Sequence, residues 1–431
     1  MQTQDPAASL ALSPSAPGIQ VANKKKIDLN IEALRGLVAL FVVWGHFVAF
    51  RLLDPDYQPG GSWGVEPPAR LCVLIFFVLS GYVIGLTNKR PLQLSTITAY
   101  IKKRVVRIYP IYLLCLALAL WVATPAYSWQ IILSHLLFVQ GWVTKCIPEF
   151  GPSWSLAYEI LFYALFIPVS LYRLNAKKLM LPVLGFGVLN TLLYPYLGPA
   201  VLSSICFGYV FWLSGLWLSS YSSREEHHLS YTEMMAMILL VLSMGRFNVL
   251  AAVLSRIEPF LLNNVLTLPQ TQVWNERVIP FQELSLLPIS VAAVAVFGNR
   301  DFPYRPWVIK LLFLVPAATF LSIYKNYEPS LFAKELPFIV CYLAAVAVYF
   351  FGGLLEPSFK HVMNAAAETG KISYAIYLIH FPLVCLIALL PLPSGTVGSF
   401  LLRSVLCLAT SVALAYVLER VLQPRIKKLT D

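Results

Sequence analysis

Two side chains that can do chemistry, Arg35 and His46, lie in the otherwise apolar stretch IEALRGLVALFVVWGHF at residues 31–47. On an α-helix their spacing of eleven residues corresponds to about 1,100° of rotation, about 20° from three full turns, and to about 16 Å along the axis. Both side chains therefore lie on one face of a predicted helix. Arg35 can hold an anionic ligand, and His46 can move a proton or act as a nucleophile. Taken alone, the pair is explained equally well by a snorkelling arginine and a hydrogen-bonded core histidine.

An arginine pair follows in the segment KKRVVRIYPIY, where Arg104 and Arg107 are three residues apart. On a helix these two residues share a face, and paired guanidinium groups suit a ligand that carries phosphate. The alternative is that these positive charges simply anchor a helix at the membrane surface. That alternative explains the charges but not the rest of the segment.

Two more titratable residues interrupt apolar segments further along the chain. Glu159 lies in GPSWSLAYEILFY, and His380 lies in ISYAIYLIHFPL, where Tyr374, Tyr377 and His380 recur at steps of three residues. Ionisable groups inside membrane segments are rare and are functional candidates by default. Glu159 is also explained as the partner of an arginine.

The composition is that of an integral membrane protein. Of the 431 residues, 58% are hydrophobic and 12% are charged, whereas soluble domains carry about 25% charged residues. Apolar runs long enough to cross a bilayer recur along the chain.

The sequence predicts an all-α fold, a polytopic integral membrane helical bundle with about ten to twelve transmembrane helices. The predicted spans lie near residues 31–50, 69–87, 108–124, 153–172, 179–195, 200–220, 232–250, 282–298, 307–324, 335–355, 372–391 and 398–420. The piece at 129–141 is too short to cross and is predicted to be interfacial or re-entrant.

The placement of basic residues predicts the orientation. With twelve spans, the basic clusters all fall on one side, which the positive-inside rule makes cytoplasmic. Both termini are then cytoplasmic. The loops near 51–68, 125–152, 251–281 and 325–334 face outward. The protein itself is expected in the inner or plasma membrane of the cell. Residues 1–26 are predicted to be a disordered cytoplasmic tail, 27–426 the membrane domain, and 427–431 a short cytoplasmic tail.

The net charge of +11 does not indicate a nucleic-acid partner, because the basic residues lie in short clusters between apolar runs. The seven cysteines contain no CxxC pair, and no set of His, Cys and carboxylate residues has the spacing of metal ligands. We therefore expect a lipid bilayer as partner, without nucleic acid and without a metal.

Five motifs in a fixed order give the chain a family resemblance over about residues 27–426. The chain resembles the acyltransferase 3 family of integral membrane O-acyltransferases. The motifs are Arg35 and His46 in the first span, FFVLSGYVI at 76–84, RIYP at 107–110, W-S-L-x-x-E-x-x-F-Y at 154–163, and S-Y-x-x-Y-L-x-H-x-P at 373–382. The family's closing Glu-x-Pro element is loosened here to ERVLQP, with Glu419 and Pro424, and we assign no role to it. The predicted number of spans also exceeds the number usual for the family's core.

The resemblance implies transfer of an acyl group, commonly acetyl, from acyl-coenzyme A to a hydroxyl of a carbohydrate, a glycolipid or another small natural product. Arg35, Arg104 and Arg107 are expected to bind the phosphates of the donor. His46 is expected either to act as a general base or to carry the acyl group transiently. Glu159 is expected to orient the His46 imidazole or to stabilise its cation, and His380 is a second candidate acid or base.

The alternative is a carrier or flippase that moves a glycolipid or polysaccharide without acyl-transfer chemistry. A polytopic chain with intramembrane charges suits that function too. The sequence lacks an obvious internal repeat, which many transporters have.

Overall fold

The computed structural model describes residues 17–49, 51–60, 64–124, 126–193, 196–222, 230–261, 279–325 and 329–430. Within these ranges the chain is helical and has no β-strand. The first sixteen residues of the predicted tail and most of the predicted outward loop 251–281 lie outside the described residues. Helix α1 begins at Pro17, earlier than the predicted start near residue 31. Proline suits the first turn of a helix because the missing N–H has no partner there.

Sixteen α-helices make up the described parts of the chain. Three 3₁₀ turns, Pro148–Ser153, Phe281–Leu286 and Gly352–Leu355, and one π-helical turn, Val417–Leu422, connect or extend them. The helices are α1 (Pro17–Val48), α2 (Ala69–Thr87), α3 (Leu94–Val122), α4 (Trp129–Leu136), α5 (Trp154–Leu171), α6 (Ala176–Leu192), α7 (Ala200–Leu218), α8 (Tyr231–Met244), α9 (Val249–Phe260), α10 (Leu287–Phe297), α11 (Arg305–Lys325), α12 (Pro329–Phe351), α13 (Glu356–Gly370), α14 (Ser373–Leu389), α15 (Val397–Tyr416) and α16 (Gln423–Thr430).

The bundle contains seven helices long and apolar enough to cross a membrane, counted over the described residues, or eight if α8 and α9, bent by 43°, form one span. The predicted all-α membrane bundle is confirmed. The count is lower than the ten to twelve spans predicted. Part of the difference comes from short helices: α6 and α14 have 17 residues each, about 26 Å, against about 30 Å for the bilayer core.

Helices α2 and α7 pack with their backbones in close contact. A Cβ atom placed on Gly81 would lie 1.9 Å from the carbonyl oxygen of Trp212, and one on Gly215 would lie 1.9 Å from that of Val78. Small residues permit such close packing between membrane helices. The Ser80-Gly81 step therefore lets α7 approach α2 closely, and this contact fixes the position of Ser80.

Replacing Gly81 with alanine is expected to lower the free energy of unfolding by about 1–3 kcal/mol, because the added methyl group forces the two backbones apart. The measurement is thermal unfolding of the purified protein in detergent. Gly185→Ala is the matched control, since its Cβ would meet nothing within 4 Å. Equal melting temperatures for the two variants would contradict this description of the contact.

Helix α1 makes a similarly close backbone contact with α13 near Arg35. A Cβ on Gly36 would lie 2.2 Å from the carbonyl oxygen of Ala366, and one on Gly370 would lie 1.8 Å from that of Glu32. Helix α13 therefore lies directly against the turn of α1 that carries Arg35.

The segment between α3 and α5 is partly buried in the protein, and its helix is too short to cross a membrane. Helix α4 has only eight residues, among them the buried His135, and Gln140 and Phe150 after it are buried as well. Gln140 Nε2 donates to the carbonyl oxygen of Ser153 at 3.0 Å. Irregular backbone at membrane depth is tolerated where protein surrounds it, so either the interfacial or the re-entrant placement predicted for this segment stays a prediction. It leads directly into Ser155 at the start of α5.

Candidate active site

Two histidines that are distant in sequence form a pair. His46, near the end of α1, and His380, in the middle of α14, approach with His46 Nδ1 at 2.8 Å from His380 Nε2. Their rings are stacked, with centroids 5.1 Å apart, and the ring of Phe381 stands edge-on to both. His380 is fully buried, whereas His46 is half-buried. The structure thus brings together two of the predicted site residues.

The hydrogen bonds determine which nitrogens carry protons. His380 Nδ1 lies 3.0 Å from the carbonyl oxygen of Ile376, and a carbonyl can only accept, so this nitrogen bears a hydrogen. In neutral His380 the Nε2 atom is then an acceptor. His46 Nδ1–H donates to it, which leaves the lone pair of neutral His46 on Nε2. A base or nucleophile at His46 therefore acts through Nε2.

A cavity of about 660 Å³ extends from the neighbourhood of this pair to the basic end of the bundle. Its end nearest the histidines is formed by Phe76, Ser155 and Tyr377. The hydroxyls of Ser155 and Tyr377 are hydrogen-bonded at 2.8 Å, and the Tyr377 ring centroid lies 6.3 Å from that of His380. Tyr377 thus both lines the cavity and adjoins His380.

Six basic side chains line the cavity, against a single acidic one, Glu159. Its apolar wall includes Val73, Phe77 and Leu79 of α2. The basic side chains suit the anionic head group of a ligand, and the apolar wall suits a longer, less polar part of the same ligand. The basic residues are Arg35, Lys102, Lys103, Arg104, Arg107 and Lys427.

The three arginines predicted to bind a donor all line this cavity, and they differ in their partners. Arg35 Nη1 donates to Glu32 Oε1 at 3.2 Å. Arg104 lies over the rings of Tyr100 and Tyr163, at 5.8 and 5.7 Å from their centroids, and its buried Nε atom has no hydrogen-bond partner among the described residues. Of the three, Arg104 is therefore the one whose charge has no carboxylate partner in the described parts of the chain.

Arg107 is held by a residue to which no role was assigned from the sequence. Its Nη1 donates to Glu419 Oε2, and its guanidinium lies 5.3 Å from the ring centroid of Tyr374. Tyr374 in turn donates to the carbonyl oxygen of Ile108 at 2.8 Å. Glu419 comes from the π-helical turn after α15, and no local sequence signal connects it to Arg107.

Glu159 is hydrogen-bonded to groups other than the histidines. Its Oε1 accepts hydrogen bonds from Ser80 Oγ at 3.0 Å and from the Tyr163 hydroxyl, and Trp212 Nε1 donates to Ser80 Oγ at 3.2 Å. Within the described parts of the chain it is hydrogen-bonded to neither histidine, because α5 presents this carboxylate to Ser80 of α2. The expected role of Glu159, to orient the His46 imidazole or to stabilise its cation, stays a prediction.

No group of three or more His, Cys, Asp or Glu side chains in the described ranges could hold a metal ion.

Comparison with known proteins agrees with these features. The family model described as an acyltransferase domain, acyltransferase 3, matches residues 28–420. A stretch of 90 residues, 20% of the chain, is 36% identical to "Protein 2 in picA locus" of Rhizobium radiobacter and covers 41% of that protein. The chain thus spans less than half the length of this curated relative. No solved structure matches the chain. Because the family model extends over nearly all of this membrane-type helical bundle, the chain belongs to the acyltransferase 3 family and is an acyltransferase.

Proposed function

We propose that this enzyme moves an acyl group, acetyl in the simplest case, from acyl-coenzyme A at the cytoplasmic face to a hydroxyl of a cell-envelope carbohydrate, a glycolipid or a small natural product. The observation that carries the proposal is the cationic cavity, one of whose lining residues, Tyr377, is in ring contact with His380 of the His46–His380 pair. The proposed location is the inner or plasma membrane, with both termini cytoplasmic, and its support is the positive-inside distribution of basic residues. This orientation requires an even number of spans, such as the eight counted over the described residues when α8 and α9 form one span.

The cavity fits the chemistry of the donor. Coenzyme A carries a pyrophosphate and a ribose phosphate, and six basic side chains line the cavity. Charge-assisted hydrogen bonds from guanidinium groups to phosphate are among the strongest in proteins. The apolar wall on α2 suits the pantetheine arm, which would direct the thioester towards Tyr377 and the histidines.

Two routes of acyl transfer use the same atoms. In the first, His46 Nε2 takes the proton of the acceptor hydroxyl while its oxygen attacks the thioester carbonyl; the carbon–sulfur bond breaks, and the leaving thiolate takes the proton back. In the second, His46 Nε2 attacks the carbonyl itself and the thiolate leaves. The hydroxyl oxygen then attacks the acyl-imidazole carbonyl, the carbon–nitrogen bond to Nε2 breaks, and the hydroxyl proton passes to the thiolate, which leaves neutral His46. In both routes the hydrogen bond from His46 Nδ1 to His380 holds the ring and stabilises its positive charge.

Replacing Arg35 with alanine is expected to raise the KM for the acyl donor about tenfold with little change in kcat. The loss of one hydrogen bond to a charged group amounts to about 1.5–3 kcal/mol, and about 1.4 kcal/mol corresponds to a factor of ten. The measurement is initial rate against acetyl-coenzyme A concentration in membranes. Arg90→Ala is the control, because Arg90 is an exposed arginine outside the cavity lining. An unchanged donor KM in the Arg35 variant would contradict the phosphate-binding role.

The proposed reaction is tested by supplying radiolabelled acetyl-coenzyme A to membranes of cells with and without the protein. Esterified label in the envelope carbohydrate, identified by mass spectrometry, is expected only when the protein is present. A carrier or flippase would instead increase the amount of carbohydrate at the outer face without adding label to it, and that result would overturn the proposal.

A further inference from the structure

The segment that follows α15 forms one wall of the cavity. It consists of the π-helical turn Val417–Leu422 and of α16. Gln423, Lys427 and Thr430 of this segment line the cavity. π-helical turns are rare in proteins and occur frequently at functional sites.

Glu419 holds Arg107 and does not itself line the cavity. Its side chain is 4% exposed, and it accepts a hydrogen bond from Arg107 Nη1. The Arg107 side chain is 37% exposed and lines the cavity. With Nη1 engaged by Glu419 and the guanidinium face held against Tyr374, the remaining N–H groups of Arg107 are available to a ligand. A buried carboxylate of this kind restricts the arginine to one position, which reduces the entropy lost when a phosphate binds.

The same segment is attached to α3, the helix that carries Arg107. Gln423 Nε2 donates to the carbonyl oxygen of Val106 at 2.7 Å. Glu419 and Gln423 are four residues apart, and both reach α3 at neighbouring positions, Arg107 and Val106. This double attachment places Lys427, one turn further on, at the basic end of the cavity.

We infer that residues 417–430 are part of the donor-phosphate site, with Glu419 as a positioning residue for Arg107 and Lys427 as an additional phosphate ligand. This inference rests on the proposed function, because it takes coenzyme A as the occupant of the cavity.

The test is the binding of coenzyme A to the purified full-length protein in detergent, measured by isothermal titration calorimetry. Glu419→Ala is expected to weaken binding about tenfold. Glu419→Gln is expected to bind within about threefold of the wild type, because its amide oxygen still accepts from Arg107. In an Arg107→Ala background, Glu419→Ala is expected to cause no further loss, since a positioning residue acts only through the group it positions. An additional loss in that background would show a role independent of Arg107 and would overturn the assignment.

Two neighbouring lysines of α16 test whether this wall of the cavity contributes to coenzyme A binding. Lys427 lines the cavity and its neighbour Lys428 does not, although both belong to α16 and carry the same charge. Lys427→Ala is expected to weaken coenzyme A binding about threefold and Lys428→Ala to leave it unchanged. If the wild type binds coenzyme A and neither Glu419→Ala nor Lys427→Ala weakens it, this inference fails and the donor assignment stands. If the wild type does not bind coenzyme A, both fail.

Discussion

Acyl transfer is expected to fall to background when His46 is replaced by alanine, while the protein still inserts into the membrane. His46 Nε2 is the basic or nucleophilic atom in both routes, and the described part of the site offers no second group in the same position. The loss should appear in kcat rather than in donor binding, because His46 is outside the cationic cavity lining. The measurement is label transferred from radiolabelled acetyl-coenzyme A per amount of membrane-inserted protein.

Two comparisons make the His46 result specific. His361→Ala is the matched surface control, since this exposed histidine lies on α13 outside the site, and its activity should equal that of the wild type. Binding of coenzyme A to the His46→Ala protein should remain close to that of the wild type. Activity in the His46 variant near the wild-type level would contradict both routes of transfer.

Replacing His380 with leucine is the substitution with the next largest expected effect, a fall of about 10²-fold or more in kcat with donor KM unchanged. A positioned acid or base contributes about 10²–10⁴-fold to a rate, and without His380 the His46 ring loses the partner that fixes its tautomer. His380→Gln should recover part of the activity. Its amide oxygen can accept from His46 Nδ1–H, and its amide N–H can donate to the Ile376 carbonyl.

The control for the His380 variants is another buried histidine with similar bonds. His135 Nδ1 lies 2.8 Å from the carbonyl oxygen of Ile131, and its Nε2 accepts from the Ile147 amide at 3.1 Å. His135→Gln should retain kcat even if it lowers the melting temperature. If the kcat of His380→Gln is no higher than that of His380→Leu, orientation of the His46 ring is not the role of His380.

Much of the fold and part of the site could be predicted from local sequence. Helical periodicity alone placed Arg35 and His46 on one face, and the structure confirms that a single continuous helix, α1, carries both. The apolar runs correctly predicted a helical membrane bundle. These features depend on residues within a few turns of each other, for which helix geometry is sufficient.

The pairings between distant segments could not be predicted in this way. His46 meets His380 across 334 residues of sequence, and Arg107 meets Glu419 across 312. The three-residue steps of Tyr374, Tyr377 and His380 place them near one face of α14, but Tyr374 bonds to α3, Tyr377 to α5 and the 3₁₀ turn before it, and His380 to α1. Single-sequence periodicity contains no information about which helix faces which, so it could not show that Glu159 is hydrogen-bonded to Ser80 and Tyr163.

The most direct test of the central claim uses sealed inverted membrane vesicles, whose cytoplasmic face is outward, with radiolabelled acetyl-coenzyme A added only outside. Vesicles with the wild-type protein are expected to accumulate esterified label in envelope carbohydrate, and vesicles with the His46→Ala protein are not. Equal labelling in the two preparations, or carbohydrate movement without label in the wild type, would contradict the claim.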